Sequence, residues 1–165
     1  MYSDRTTASG IRRNGCVTYI ETKPPSKTII DLHVIAQAPP ELRASGICDV
    51  LSIATGTWDW EYAHQNNQLT YETRFLHYVA ANARTLLQGV LDCAGAAGNG
   101  DPEGLKQVID CLAMEVQLCD QIGHSRPDEG SEHYFAYAVE NKLPKGLPHG
   151  FLVGPGIIRI AEKQG

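Results

Sequence analysis

The stretch Gly130-Ser131-Glu132-His133-Tyr134-Phe135-Ala136-Tyr137 sets a histidine just inside a predicted helix, and a second histidine, His149, stands between Pro148 and Gly150. His133 and Tyr137 are four positions apart and share one face of that helix, predicted over 131–141. His149 opens the next element after a bend containing Pro144 and Pro148. A histidine on one helix and a histidine at the start of the next element can converge on one point. Asp49, from another helix packed alongside, is the third candidate donor. Two imidazoles and a carboxylate suit Zn²⁺ or Fe²⁺ and leave coordination positions open, which is the pattern of a catalytic rather than a structural metal. The plainer alternative makes His133 a helix N-terminal residue, His149 a loop residue bonded to backbone, and Asp49 part of an exposed face. Against it, Asp49 lies among Ile47, Val50 and Ile53, where burying a carboxylate without a partner is costly.

Outward from this point the chain reads as a helical scaffold. Residues 1–15 are polar, and Asn14-Gly15 is a turn signal. Cys16-Val17-Thr18-Tyr19-Ile20 and Thr28-Ile29-Ile30-Asp31-Leu32 are two β-type runs, too few to build a covered parallel sheet. From Pro39 the period becomes helical. One helix is predicted from Glu41 to about His64, with Gly46, Asp49, Ile53 and Gly56 on one narrow stripe. A second is predicted from Thr70 to about Cys93, with Phe75, Tyr78, Val79, Asn82, Leu86, Val90 and Cys93 buried. Gly95 to Gly104 reads as a flexible connection, with Asp101 capping a third helix from Pro102 to about Ile122. That helix carries an apolar stripe of Leu105, Val108, Ile109, Leu112, Val116 and Cys119. On the fourth helix Phe135, Ala138 and Val139 are expected to face the core. A last helix starts near His149, with Gly154-Pro155-Gly156 as its expected break.

At 165 residues, with 42% apolar and 20% charged residues, the chain is sized for one soluble domain. A net charge of −5 without a basic cluster argues against a nucleic-acid surface. No apolar run approaches the roughly 20 residues that span a bilayer, and the polar start has no signal-peptide core. Five cysteines without a C-x-x-C spacing favour reduced thiols in a cytoplasmic protein. Cys48, next to Asp49, is a minor candidate for a soft ligand. Trp58 and Trp60 fit the core better than a substrate wall. His33, His64, His77 and His124 read as surface or polar-contact residues. Gly95 to Gly100 lacks the G-x-G-x-x-G spacing of a phosphate loop.

Ser45-Gly46-Ile47-Cys48-Asp49-Val50-Leu51-Ser52 resembles the first metal-ligand helix of the glycerol-1-phosphate dehydrogenases, within the group of iron-containing alcohol dehydrogenases, glycerol dehydrogenases and dehydroquinate synthases. Gly130-Ser131-Glu132-His133 resembles the second ligand motif of that family, and His149-Gly150 the third. Lys23-Pro24-Pro25 and Thr28–Leu32 resemble the segment before the first ligand helix. The resemblance implies a mainly α fold, the helical metal-binding domain of that group. Residues 1–35 are then a β remnant of an N-terminal α/β nucleotide domain, and 36–165 a helical metal- and substrate-binding domain truncated at its C-terminus. It implies NAD(P)-dependent oxidoreduction of a small polyol phosphate, with Asp49, His133 and His149 as catalytic ligands of Zn²⁺ (or Fe²⁺ or Ni²⁺). By the same resemblance Asp4, Asp49 and Tyr137 contact substrate and Ser9 contacts the NAD or NADP cofactor. A cytoplasmic enzyme is implied, with a homo-oligomer compatible, and with neither nucleic acid nor membrane as partner. Three departures stand out. The glycine-rich dinucleotide motif is absent, Tyr137 replaces a common substrate-binding histidine, and Phe151 stands where an acidic residue is frequent. The runner-up readings are a sugar-phosphate cyclase of the dehydroquinate synthase type and a non-catalytic truncated homologue.

Overall fold

The structure, a computed structural model, describes residues 8–13, 16–21, 26–143 and 146–165. Two strands, β1 (Ala8–Arg13) and β2 (Cys16–Glu21), form an antiparallel hairpin in the register Ala8↔Glu21 to Arg13↔Cys16. The run Cys16–Ile20 is therefore a strand, but its partner comes from residues read as a polar lead. The predicted turn Asn14-Gly15 lies outside the described residues. The second expected β-type run is not a strand. Residues 27–31 are irregular and α1 (Leu32–Ala36) follows. Asp31 ends the run by accepting hydrogen bonds from the His33 and Val34 amides at 3.0 and 3.3 Å, as an N-cap does. β-branched residues favour strands only where a pleated neighbour covers them, and Ile29 is 81% exposed.

The remainder is helical, as the sequence predicts: α2 (Pro40–Leu51), α3 (Ile53–Gln65), α4 (His77–Gly98), α5 (Pro102–Ile122), α6 (Ser131–Glu140) and α7 (Gly150–Gln164). The single helix expected over 41–64 is interrupted at Ser52. Its amide and its hydroxyl both bond the Asp49 carbonyl, at 3.1 and 2.5 Å, and a serine competing for a carbonyl in this way disturbs the helical ladder. α4 starts at His77, not Thr70, because 70–74 folds into a turn. There the Thr70 amide bonds Thr73 Oγ1 at 3.1 Å, and the buried Trp60 indole donates to the Thr73 carbonyl at 2.9 Å. With that start the inward face becomes Val79, Ala80, Ala83, Val90, Cys93 and Ala97. Tyr78 and Asn82, expected inside, are exposed. The supposed flexible connection at Gly95 is helix as far as Gly98. Asp101 caps α5 as expected, accepting from the Gly104 amide at 2.8 Å.

The main core gathers Ile47, Val50, Ile53, Trp60, Val79, Val90 and Val108, and a smaller one joins Ala136 of α6 to Leu152 and Val153 of α7. The face of α6 departs from expectation. Glu132, His133, Ala136 and Glu140 are buried, whereas Phe135 and Ala138 are exposed and Val139 is half-buried. α7 runs unbroken through Pro155. Its small residues press against neighbours: a Cβ added at Gly156 would lie 2.8 Å from the Glu132 carbonyl oxygen, and one at Gly150 only 1.9 Å from that of Ser45. Among the described residues no helix is long and apolar enough to cross a membrane.

The Gly150 contact is backbone against backbone, so it has no flexible side chain to yield. Gly150→Ala is expected to destabilise the chain by about 2–3 kcal/mol, in the range of overpacked cores, read from urea unfolding. An unchanged unfolding midpoint would show that α2 and α7 do not approach this closely.

Candidate metal centre

Asp49 sits in the last turn of α2, His133 in the first turn of α6, and His149 immediately before α7. Ser45 and Asp49 are one turn apart on α2, so whatever holds Ser45 also holds the carboxylate. The Gly150 amide donates to Ser45 Oγ at 3.1 Å, and the absence of a side chain at Gly150 lets α7 begin against the Ser45 carbonyl. His149 is thereby delivered beside Asp49.

The structure brings the three predicted residues together. Asp49 Oδ1 is 3.6 Å from His149 Nε2 and 3.9 Å from His133 Nε2, and the three donor atoms all lie within 4.8 Å of one another. Two donors bound to one tetrahedral zinc at about 2.1 Å stand roughly 3.4 Å apart, so the two distances to Asp49 Oδ1 are a few tenths of an ångström wider than a closed shell. The His133 and His149 rings are 5.1 Å apart, and the Tyr137 ring lies 6.0 Å from each. The His133 side chain is 4% exposed and those of Asp49 and His149 are 19% and 23% exposed, but the atoms that face the centre, Asp49 Oδ1 and His149 Nε2, are shielded from solvent.

Behind His133 stands Glu132, a carboxylate buried without solvent contact. Its Oε1 is 2.8 Å from His133 Nδ1 and accepts from the Gly130 amide at 2.6 Å, and its Oε2 accepts from Thr55 Oγ1 at 2.6 Å. Burial pushes this carboxyl upward, but the hydrogen bonds from His133, Thr55 and Gly130 outweigh it and hold it below the usual carboxylate range. An ionised Glu132 fixes the proton on His133 Nδ1 and leaves Nε2 facing Asp49 and His149. Metal-ligating histidines are commonly held by a carboxylate in this way. Burial lowers the basicity of His133. The Glu132 hydrogen bond and the charges of Glu129 and Asp49 overcome that and raise it to about 9.

Cys48 is not part of the group. Its Sγ faces Gly154 of α7, and burial together with the Asp49 charge pushes its thiol up. The thiols of Cys48, Cys93, Cys111 and Cys119 are free. Asp4 lies outside the described residues, and Ser9 pairs with Ile20 in the hairpin backbone. Tyr137 lines a cavity of about 520 Å³ that also reaches His133, Trp58, Asp59, Arg126 and Glu129. Trp60, expected in the core, is fully buried and lines this cavity as well.

Two features escape the sequence reading. Glu132 adjoins His133 in the Gly-Ser-Glu-His run, so its proximity was a usable signal. The second is a buried trio of Glu115, Cys119 and Asp128. Cys119 has the spacing of an apolar stripe, and nothing local marks Asp128 as buried. Cys119 Sγ donates to Asp128 Oδ1 at 3.4 Å. Burial, then the charge and hydrogen bond of Glu115, push the Asp128 carboxyl well above its ordinary value.

Glu132→Gln is expected to weaken Zn²⁺ binding by about 10- to 100-fold, measured by competition with a chelating dye; affinity within twofold of the parent would contradict the role of Glu132. Asp128 gives a pH prediction. A carboxyl whose folded value is raised contributes stability that is full at acid pH, below its unfolded value, and is lost as pH rises through the folded value. The unfolding midpoint of the parent should therefore fall relative to that of Asp128→Asn between pH 4 and pH 8. Parallel profiles would contradict it.

No family model matches the chain. Among curated proteins, the glycerol-1-phosphate dehydrogenase [NAD(P)+] of Pyrococcus furiosus is 32% identical over 157 residues, covering 95% of this chain and 44% of its own length. That of Pyrococcus abyssi is 34% identical with the same coverage. That of Methanothermobacter thermautotrophicus is 29% identical, again over 95% of this chain and 44% of its own length. Over nearly all of its own length the chain is thus similar to glycerol-1-phosphate dehydrogenases, and it spans less than half the length of the curated relatives it matches.

Proposed function

We propose that the chain is the metal- and substrate-holding helical part of a cytoplasmic NAD(P)-dependent oxidoreductase acting on a small polyol phosphate, of the glycerol-1-phosphate dehydrogenase type. In this reading residues 36–165 form that helical part, and residues 1–35 belong to the nucleotide-binding side, with Asp4 toward substrate and Ser9 toward NAD or NADP. The observation that carries it is the convergence of Asp49 Oδ1, His133 Nε2 and His149 Nε2, with Glu132 behind His133. One carboxylate and two neutral imidazoles fit Zn²⁺, and also Fe²⁺ or Ni²⁺, with positions left over. A cation held there supplies Lewis-acid polarisation of a substrate oxygen.

The chain's own residues do the rest. Glu132 keeps the His133 Nε2 lone pair aimed at the site. Asp49 Oδ1 and His149 Nε2 face His133 Nε2 out of solvent, and His133 and Tyr137 border the cavity from which the substrate oxygen approaches. The Tyr137 hydroxyl donates to Glu129 Oε1 over a long 3.5 Å, a bond it can exchange for one to a substrate oxygen. The exposed Trp58 and the buried Trp60 give the cavity an aromatic lining.

Metal titration tests this directly. The purified chain should bind about one Zn²⁺, with affinity falling at least 100-fold in Asp49→Ala, His133→Ala and His149→Ala, each of which deletes a ligand. Zinc bound equally well by all three variants would refute the reading. Tyr137→Phe should keep zinc affinity while weakening glycerol phosphate binding about three- to tenfold, the worth of one neutral hydrogen bond.

A further inference from the structure

Among the described residues lining the 520 Å³ cavity, Arg126, on the loop between α5 and α6, is the one arginine. Arg126 is half-buried. Its backbone amide donates to His124 Nδ1 at 3.3 Å, but among the described residues its side chain makes no hydrogen bond or ion pair. The cavity's carboxylates have other donors. Asp59 accepts from the Ser131 amide at 2.7 Å and from Gln164 Nε2 at 3.0 Å, and Glu129 accepts from Ser125 Oγ at 2.6 Å. A partly desolvated arginine held without a counter-ion is costly unless a ligand supplies one.

The loop holds Arg126 in place. Ser125, Pro127 and Asp128 on either side are buried, and the Ser125 carbonyl accepts the amides of Asp128 and Glu129 at 3.1 and 2.7 Å. Gly56 of α3 packs so tightly on this loop that an added Cβ would meet the Asp128 carbonyl carbon at 2.7 Å. The guanidinium is therefore presented by a packed segment and needs little ordering on binding. His124, whose ring stands edge-on to Trp60, lines the same cavity.

We infer that Arg126, assisted by His124, receives the anionic group of the substrate, a phosphate monoester, in the cavity whose other lining residues include His133 and Tyr137. The guanidinium fork matches two phosphate oxygens, which a neutral polyol does not offer. The inference rests on the reading of Asp49, His133 and His149 as the site of the substrate oxygen, and adds what sets a polyol phosphate apart from the bare polyol.

Calorimetric titration of the zinc-loaded chain with sn-glycerol 1-phosphate, inorganic phosphate and glycerol tests it. The parent should bind the ester better than glycerol. Arg126→Ala should weaken both phosphate-bearing probes about 10- to 100-fold, the range for charge-assisted hydrogen bonds, with zinc and glycerol binding unchanged. Arg126→Lys, which keeps charge but loses the fork, should fall between and guards against a folding defect. Phosphate binding by Arg126→Ala within twofold of the parent would overturn the inference, as would a parent indifferent between ester and glycerol. If the parent took up no zinc, the metal reading would fail by itself. Inorganic phosphate titrated into the metal-free chain would still decide Arg126: loss of binding in Arg126→Ala supports it, and equal binding overturns it.

Discussion

Glu132 is a carboxylate without solvent contact inside a small helical domain, and such a group is tolerable only when donors surround it. Three elements supply them: the Thr55 hydroxyl from α3, the Gly130 amide at the entry to α6, and the His133 ring. Satisfying this one group fixes the rotation of α6 about its axis. It turns the polar side of the helix inward, leaves Phe135 outside, and points His133 Nε2 at Asp49 and His149. Hydrogen bonding here decides what apolar periodicity would have decided differently.

The other half of the arrangement is steric. Gly150 and Gly156 let α7 lie against the carbonyls of Ser45 and Glu132. That closeness puts His149, the residue before Gly150, next to Asp49, which lies one helical turn along α2 from Ser45. Three donors from three helical segments therefore meet through two backbone contacts and one buried carboxylate. The donor atoms Asp49 Oδ1 and His149 Nε2 are shielded from solvent, and the cavity opens beside them at His133 and Tyr137.

Much of this was legible from the residues. Asp49, His133 and His149, singled out by their residue types and by the family resemblance, are brought together in the structure, and Asp101-Pro102 marked the start of α5. The illegible parts have physical causes. Thr28–Leu32 has strand propensity but, among the described residues, no neighbouring strand to cover it. The break at Ser52 depends on a side chain competing for one carbonyl. The start of α4 depends on the Trp60 bond to Thr73, thirteen residues away in sequence. The burial of Glu132, Glu115 and Asp128 depends on partners no local window contains. Arg126, within a polar loop, gained significance only once the cavity beside it was visible.

The central claim is that one carboxylate and two imidazoles share a single cation. X-ray absorption fine structure of the zinc-loaded chain tests it most directly. The account predicts a first shell of nitrogen and oxygen at about 2.0–2.1 Å, with the outer-shell scattering of two imidazoles. Sulfur scatterers at about 2.3 Å, the distance of a zinc–thiolate bond, or a shell lacking imidazole would contradict it.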